Sequence, residues 1–187
     1  MLFRSVLAGK IDPELNLPVN FLNSVHEKDI LSNQTRLSHI CGFPLVSQFQ
    51  RKLIPLCTPH FDLDELEGPN YFSYLVVSKA SQIDSLKDTH GMVAAINSYV
   101  SQSGNNVFRS EIETSKKLGL FNDFYKDIVI TGSHKNSIQK IINNEVDIAC
   151  IDAMSFLYIK RFEPKITDDL RIIGRSIIRS EEHTSEL

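Results

Sequence analysis

The 187-residue chain is 42% hydrophobic, carries a formal charge of −3 and has no tryptophan. That apolar share is enough for a buried core in one domain or in two small lobes. Neither a basic excess nor a long acidic run is present, so no nucleic-acid partner and no disordered acidic tail are expected. No window approaches the roughly 18–20 apolar residues of a membrane span, and residues 1–8 turn polar too soon for a signal peptide.

In chain order, residues 11–36 are polar and interrupted by Pro13 and Pro18, which predicts loops and a short helix near residues 25–31. The apolar run at 53–57 predicts a strand that Pro55 confines to a sheet edge. Residues 58–70 hold prolines, a glycine and several acids and read as loop. Residues 71–78 are aromatic and β-branched, the composition of a strand.

A regular alternation then begins. A short helix at 83–89 stops at Gly91, and a buried strand follows at 92–95. Residues 103–118 predict a helix with Val107, Ile112 and Leu118 among its apolar positions. A strand at 127–130 leads to a helix at 137–144, where Ile138, Ile141 and Ile142 fall at i, i+3 and i+4. A strand at 146–151, a helix at 153–161 and a strand at 170–174 complete the series. Strands alternating with helices predict an α/β fold with mostly parallel sheet covered on both faces.

The three cysteines are Cys41, Cys57 and Cys150. Their spacing fits no zinc pattern, so no metal site is expected. Cys150 lies inside an apolar strand and reads as a small buried hydrophobe. Cys41 and Cys57 are free to pair if the protein is exported. The last nine residues, 179–187, carry neither periodicity nor turn chemistry continuous with what precedes. They resemble the in-frame translation of a sequencing adapter and are set aside as a non-native tail. His183 and its flanking glutamates are therefore not read as metal ligands, and the natural frame is expected to continue past residue 178.

Three loops follow three consecutive predicted strands, the edge at which open parallel sheets bind ligands. The first contains Ser101-Gln102-Ser103-Gly104. Its serines supply hydroxyl donors, Gly104 permits close backbone approach, and the helix that follows offers free N–H groups and a positive dipole end. A plain N-cap serine is the competing reading. The second loop, Thr131-Gly132-Ser133-His134, repeats the pattern, with His134 expected to carry charge beside a bound anion. A solvated first-turn histidine competes with it. Asp152 ends the third strand and reads equally as a ligand acceptor or a helix cap. The ligand expected of these loops is a small anion, with no cofactor.

Five segments in order resemble the phosphate/phosphonate-type substrate-binding proteins of ABC transporters, which have the type 2 periplasmic-binding fold. They are Leu37-Ser38-His39-Ile40-Cys41-Gly42-Phe43-Pro44-Leu45, Gly68-Pro69-Asn70-Tyr71-Phe72-Ser73, Ser101-Gln102-Ser103-Gly104, Thr131-Gly132-Ser133-His134 and Ala149-Cys150-Ile151-Asp152. The resemblance implies two lobes with the ligand between them: residues 1–78 a partial first lobe, 79–168 a second lobe carrying the anion loops, and 169–178 a crossing back. It implies that Ser101, Gln102, Ser103, Gly104, Ser133 and His134 meet the anion, that Asp152 meets the other end of the ligand, and that Phe43 and Tyr71 line the cleft. It also implies an extracytoplasmic location and a permease partner for the full-length protein. Phe43 stands where the family usually has tyrosine, and Gln102 where threonine is frequent. Many relatives carry a cysteine near the position of Leu66; its absence removes the expected partner of Cys41.

Two other functions fit the same residues. Ser103, His134 and Asp152 have the residue types of a hydrolytic triad, but no G-x-S-x-G elbow frames either serine. A ligand-sensing domain of a signalling or regulatory protein would use the same fold and the same loops.

Overall fold

The computed structural model describes residues 30–33, 35, 40, 42–56, 63–66, 70–176 and 179–180. The chain divides into two units, residues 1–39 and 40–187. In the first, the described residues form a turn in which the Thr35 N–H donates to the Ser32 carbonyl at 3.0 Å. Cys41, Cys57, residues 181–187 and all but the end of the helix expected near 25–31 lie outside the described residues.

The second unit opens with α1 (Gly42–Ser47), which the periodicity did not announce. Pro44 sits in its first turn, where a missing N–H breaks no helical bond, and the Ser47 hydroxyl donates to the Phe43 carbonyl at 2.7 Å. The strand expected at 53–57 is absent over its described part. Residues 54–56 have no regular structure, and Ile54 and Leu56 are 85% and 72% exposed. Pro55 offers no N–H to a ladder, and the run has no partner strand among the described residues.

The strand expected at 71–78 is two strands, β1 (Asn70–Tyr71) and β2 (Ser73–Ser78). They are followed by a 3₁₀ turn (Leu86–Thr89) and β3 (Val93–Ile96). A continuous helical run at 102–115, here α2, comes next, then α3 (Phe121–Phe124) and β4 (Asp127–Ile130). The remainder is α4 (His134–Ile142), β5 (Ile148–Asp152), α5 (Ala153–Phe162), α6 (Pro164–Thr167), β6 (Leu170–Arg175) and β7 (Arg179–Ser180). β7 pairs antiparallel with β1, Tyr71 opposite Arg179, so two residues that the sequence reading set aside as tail carry a strand pairing.

The main sheet has the order β4-β3-β5-β2-β6. β3 runs parallel to β4 and β5, whereas β2 runs antiparallel to both its neighbours, β5 and β6. Four strands therefore point one way and β2 alone is reversed, which is the mostly parallel α/β sheet that the alternation predicts.

Period-2 burial divides the central strands between two cores. Tyr74, Val76, Ala149 and Ile151 pack with Ile138, Ile141 and Phe156 of α4 and α5. Leu75, Val77, Ile148 and Cys150 pack with Val107, Phe108, Ile112 and Phe121 of α2 and α3. Cys150 is 1% exposed, and burial pushes its thiol pKa up, so it behaves as the small hydrophobe its strand position implied. Phe108 is fully buried, edge-on to Phe121 at 5.1 Å between centroids and tilted against Tyr125 at 5.5 Å.

Truncation of that ring leaves a cavity at the centre of the aromatic cluster. Phe108→Ala is expected to lower unfolding free energy by about 3–5 kcal/mol, read from denaturant midpoints at unchanged slope. A loss below about 1 kcal/mol would show that α2 is not docked through this side chain.

Candidate functional site

β3, β4 and β5 end at one edge of the sheet, and the reversed β2 begins there. Ser73, the first residue of β2, stands opposite Asp152, the last of β5. The Thr131 N–H donates to the Ile96 carbonyl and the Gly132 N–H to the Asn97 carbonyl, each at 2.9 Å, so the first two loops leave the sheet side by side.

The first loop enters α2 through Ser101. Its hydroxyl oxygen accepts the Gly104 N–H at 3.1 Å, a helix cap in the form that the competing reading described. The cap uses a lone pair and leaves the hydroxyl hydrogen free to be donated. The turn itself is wide. The Asn106 N–H reaches the Ser101 carbonyl at 3.0 Å, and the Val107 N–H reaches the Gln102 carbonyl, both five residues back. Such wide turns cluster at functional positions. Amides hold this one open: Asn105 Nδ2 donates to the Tyr99 carbonyl at 2.8 Å, and Asn106 Nδ2 to Gln102 Oε1 at 3.2 Å. The first N–H groups of the run, on Gln102 and Ser103, have no carbonyl behind them within the helix.

The second loop enters α4 the same way. Gly132 takes a φ of 81°, open to glycine at little steric cost. The Ser133 hydroxyl oxygen accepts the Asn136 N–H at 3.1 Å. Thr131 is not a donor toward a ligand, contrary to the sequence reading. Its hydroxyl is buried between the Ile96 and Ser133 carbonyls and bonds Ser137 Oγ at 2.6 Å, because it anchors the start of α4 to the end of β3.

The two helix starts meet at one contact. Ser103 Oγ lies 3.0 Å from His134 Nε2. Ser103 is 7% exposed, and its carbonyl accepts the Ser73 hydroxyl at 3.0 Å, which ties the turn to β2. Asn97 Nδ2 lies 3.5 Å from the same His134 nitrogen. Gly104 is required here for a reason the sequence does not display. A Cβ at Gly104 would fall 2.0 Å from Asn97 Oδ1 and 3.1 Å from His134 Cε1. The space that looked like room for ligand approach is occupied by the protein's own amide.

Two polar atoms at this junction are shut off from solvent without a hydrogen-bond partner, Asn97 Oδ1 and His134 Nδ1. Burial pushes the His134 pKa below its ordinary 6.5, and the Asp152 carboxylate acts in the opposite direction. Burial therefore favours the neutral form of the unliganded imidazole, and the charge expected from the sequence belongs to the anion-bound state. Asp152 caps α5, its Oδ1 accepting the Ser155 N–H at 2.8 Å; its second oxygen is not used by the cap. Of the remaining expected residues, Phe43 is half-buried in α1, which lies beside the start of α2. Tyr71 packs against the core shared by Phe72 and Ile151. Among the described residues no three His, Cys, Asp or Glu side chains gather as metal ligands.

Sequence reading missed Asn97, Ser73 and Ser176. The Ser176 hydroxyl accepts the Ser73 N–H at 3.0 Å, and its own N–H donates to the Ser73 carbonyl at 2.8 Å. The available signal was position alone: Asn97 directly follows a buried strand at the ligand-binding edge.

Two measurements test this geometry. Gly104→Ala is expected to cost about 1–3 kcal/mol of stability through overpacking, and Asn97→Ala in the same chain should restore part of it, a coupling read by a double-mutant cycle. Additive losses would show that the two side chains do not share the space. In the pH experiment the unfolded ring titrates at about 6.5 and the folded one lower. As pH falls below that value the unfolded chain takes up the proton first, so stability of the ligand-free protein drops on acidification. His134→Gln should flatten that part of the profile, and an unchanged slope would rule the ring out as its cause.

The family model for the ABC transporter, phosphonate, periplasmic substrate-binding protein matches residues 14–182. No curated protein matches the chain. Among solved structures, a binding-protein component of an ABC phosphonate transporter from Pseudomonas aeruginosa is 23% identical with a TM-score of 0.54, over 60% of this chain and 38% of that one. PhnD1 from Prochlorococcus marinus, solved with methylphosphonate, is 16% identical with a TM-score of 0.56, over 78% of this chain and 56% of that one. An ancestral arginine-binding protein bound to arginine is 19% identical with a TM-score of 0.55, over 98% of this chain and 76% of that one. The chain thus spans 38% and 56% of the length of the two phosphonate-related structures. The fold is the α/β fold of type 2 periplasmic binding proteins, and the chain belongs to the phosphonate periplasmic substrate-binding protein family of ABC transporters.

Proposed function

We propose that this chain captures a small oxyanion, a phosphonate, phosphite or phosphate-like ligand, as part of the substrate-binding component of an ABC transporter. The observation that carries the reading is the meeting of two helix starts at Ser103 and His134, 3.0 Å apart, at the edge where three strands end. Each start has a capping serine with a free hydroxyl hydrogen, and each contributes a positive dipole end. Ser101, Ser103 and the N–H groups of Gln102 and Ser103 form one side of the anion shell; Ser133 and His134 form the other. Asp152 offers its unused oxygen to a donor at the far end of the ligand. Phe43 and Tyr71 line the cleft between the lobes, β2 and β6 serve as the crossings between them, and the full-length protein works outside the cytoplasm beside its permease.

The family is a class of transport proteins and not of enzymes. The Ser103–His134 contact also resembles two members of a hydrolytic triad. A triad needs a carboxylate on the other ring nitrogen to orient the base, and His134 Nδ1 has no partner. Capture is the chemistry that these donors favour.

Titration of the full chain with methylphosphonate, phosphite and phosphate tests the reading. A true ligand at about 100 times Kd adds roughly 2.7 kcal/mol and raises the melting temperature. Ser103→Ala should weaken binding roughly 10- to 100-fold by removing a charge-assisted hydrogen bond. A bound anion favours the imidazolium, so wild-type affinity should rise as pH falls from about 8 to about 6, and His134→Ala should weaken binding most at the acid end. Failure of all three anions to shift the melting temperature, with arginine doing so, would move the ligand to a different chemical class.

A further inference from the structure

We propose that Asn97 is a positioning residue that decides which ring nitrogen of His134 carries the proton, and so makes an anion arriving at Ser103 draw a proton into the site. The inference rests on the anion-capture reading and adds a residue and a coupling to it.

The argument begins with Gly104. The carbonyl oxygen of the Asn97 side chain fills the space that a Cβ would take at Gly104, 2.0 Å from where that atom would sit. The oxygen has no hydrogen-bond partner there, and the amide nitrogen faces His134 Nε2, at 3.5 Å. A primary amide nitrogen only donates. A ring nitrogen facing a donor is favoured as the acceptor, so in the empty site the imidazole hydrogen belongs on Nδ1. Ser103 Oγ, 3.0 Å from Nε2, then donates its own hydrogen to the ring. The empty site holds the hydroxyl that an anion would need turned inward.

An anion reverses this order. It accepts the Ser103 hydrogen, and Nε2 is left with only the longer Asn97 contact at 3.5 Å. The freed lone pair takes a proton from solvent, and the new Nε2–H donates to Ser103 Oγ while Ser103 donates to the anion. The charged ring has support on another side, since Asp152 at the end of β5 acts on it. Ser103 from α2 and Asn97 from the end of β3 bring no charge of their own, so Asp152 is the charged group facing the ring. Burial favours the neutral ring in the empty site. Asn97 strengthens that bias, because its N–H groups oppose a hydrogen on Nε2.

The first test needs no ligand. Imidazole ¹⁵N shifts of the full chain near neutral pH should report His134 as the Nδ1–H tautomer. Asn97→Leu keeps the shape and removes the donor, and should mix the tautomers. Asn97→Asp places an acceptor against Nε2 and should convert the ring to the imidazolium. An Nε2–H tautomer in the wild type, or one unmoved by either variant, would overturn the proposal whatever the ligand is. The second test is calorimetry with methylphosphonate in two buffers of different protonation enthalpy. Wild type should take up a proton on binding, and Asn97→Asp should bind with little or no uptake and a flatter pH profile. Binding without uptake in the wild type would overturn the coupling. Absence of any binding heat, with the tautomers as expected, would overturn the choice of ligand and leave the positioning role standing.

Discussion

The candidate site depends on a side chain that is missing. With no Cβ at Gly104, the Asn97 amide can seat against the start of α2, and the His134 ring can close over the same spot. Any other residue at 104 would displace the Asn97 amide and press on the His134 ring, beside the 3.0 Å contact through which Ser103 and His134 join the two helix starts. The wide turn at residues 101–106 belongs to the same constraint. A glycine and two asparagines resist a regular helix, and the amides of Asn105 and Asn106 hold the widened geometry by bonding the Tyr99 carbonyl and Gln102.

The distinction between a helix cap and an anion donor dissolves at these positions. Ser101 and Ser133 accept backbone N–H groups, as caps do. Acceptance engages oxygen lone pairs, and the hydroxyl hydrogens remain to be given to a ligand. The caps fix where those oxygens sit, because each is held by its own helix. Thr131 shows the opposite case. Its hydroxyl is enclosed by two carbonyls and Ser137, so it stabilises the scaffold and has nothing to offer a ligand.

Much of the fold was legible because its strands are short, buried and separated by helical periodicity. β4 falls where its composition placed it, and the helix and strand that follow differ by a few residues at their ends. The difference at residues 53–56 has a plain cause: an apolar run says what could be buried, and Ile54 and Leu56 pair with no strand among the described residues and stay exposed. α1 and α3 are too short for a period to register. The site was legible as loops and residue types, since Ser103 and His134 could be named from helix-start chemistry. Asn97 was not, because its role comes from the empty space at Gly104, seven residues on, and from the ring of His134 on another element. No local pattern encodes a three-way contact of that kind, nor the burial that lowers the His134 pKa in the empty protein.

The electrostatic balance of the site then follows from what surrounds it. The helix starts supply dipoles, not full positive charges, and the cation nearest in sequence, Lys135, is turned outward to Glu163 at 2.7 Å. Asp152, by contrast, places a carboxylate within electrostatic reach of His134. An anion entering the empty site would meet like charge before it met a compensating one. Dipoles can orient it, but at short range in a partly buried setting one unopposed charge outweighs a helix end. A proton on His134 cancels the Asp152 charge and supplies the missing hydrogen-bond donor in one step. Recognition built this way is less exposed to salt screening than a cluster of surface arginines would be. On the proposed reading it also ties affinity to a proton, because burial disfavours a charged His134 in the empty fold and a bound anion would favour it.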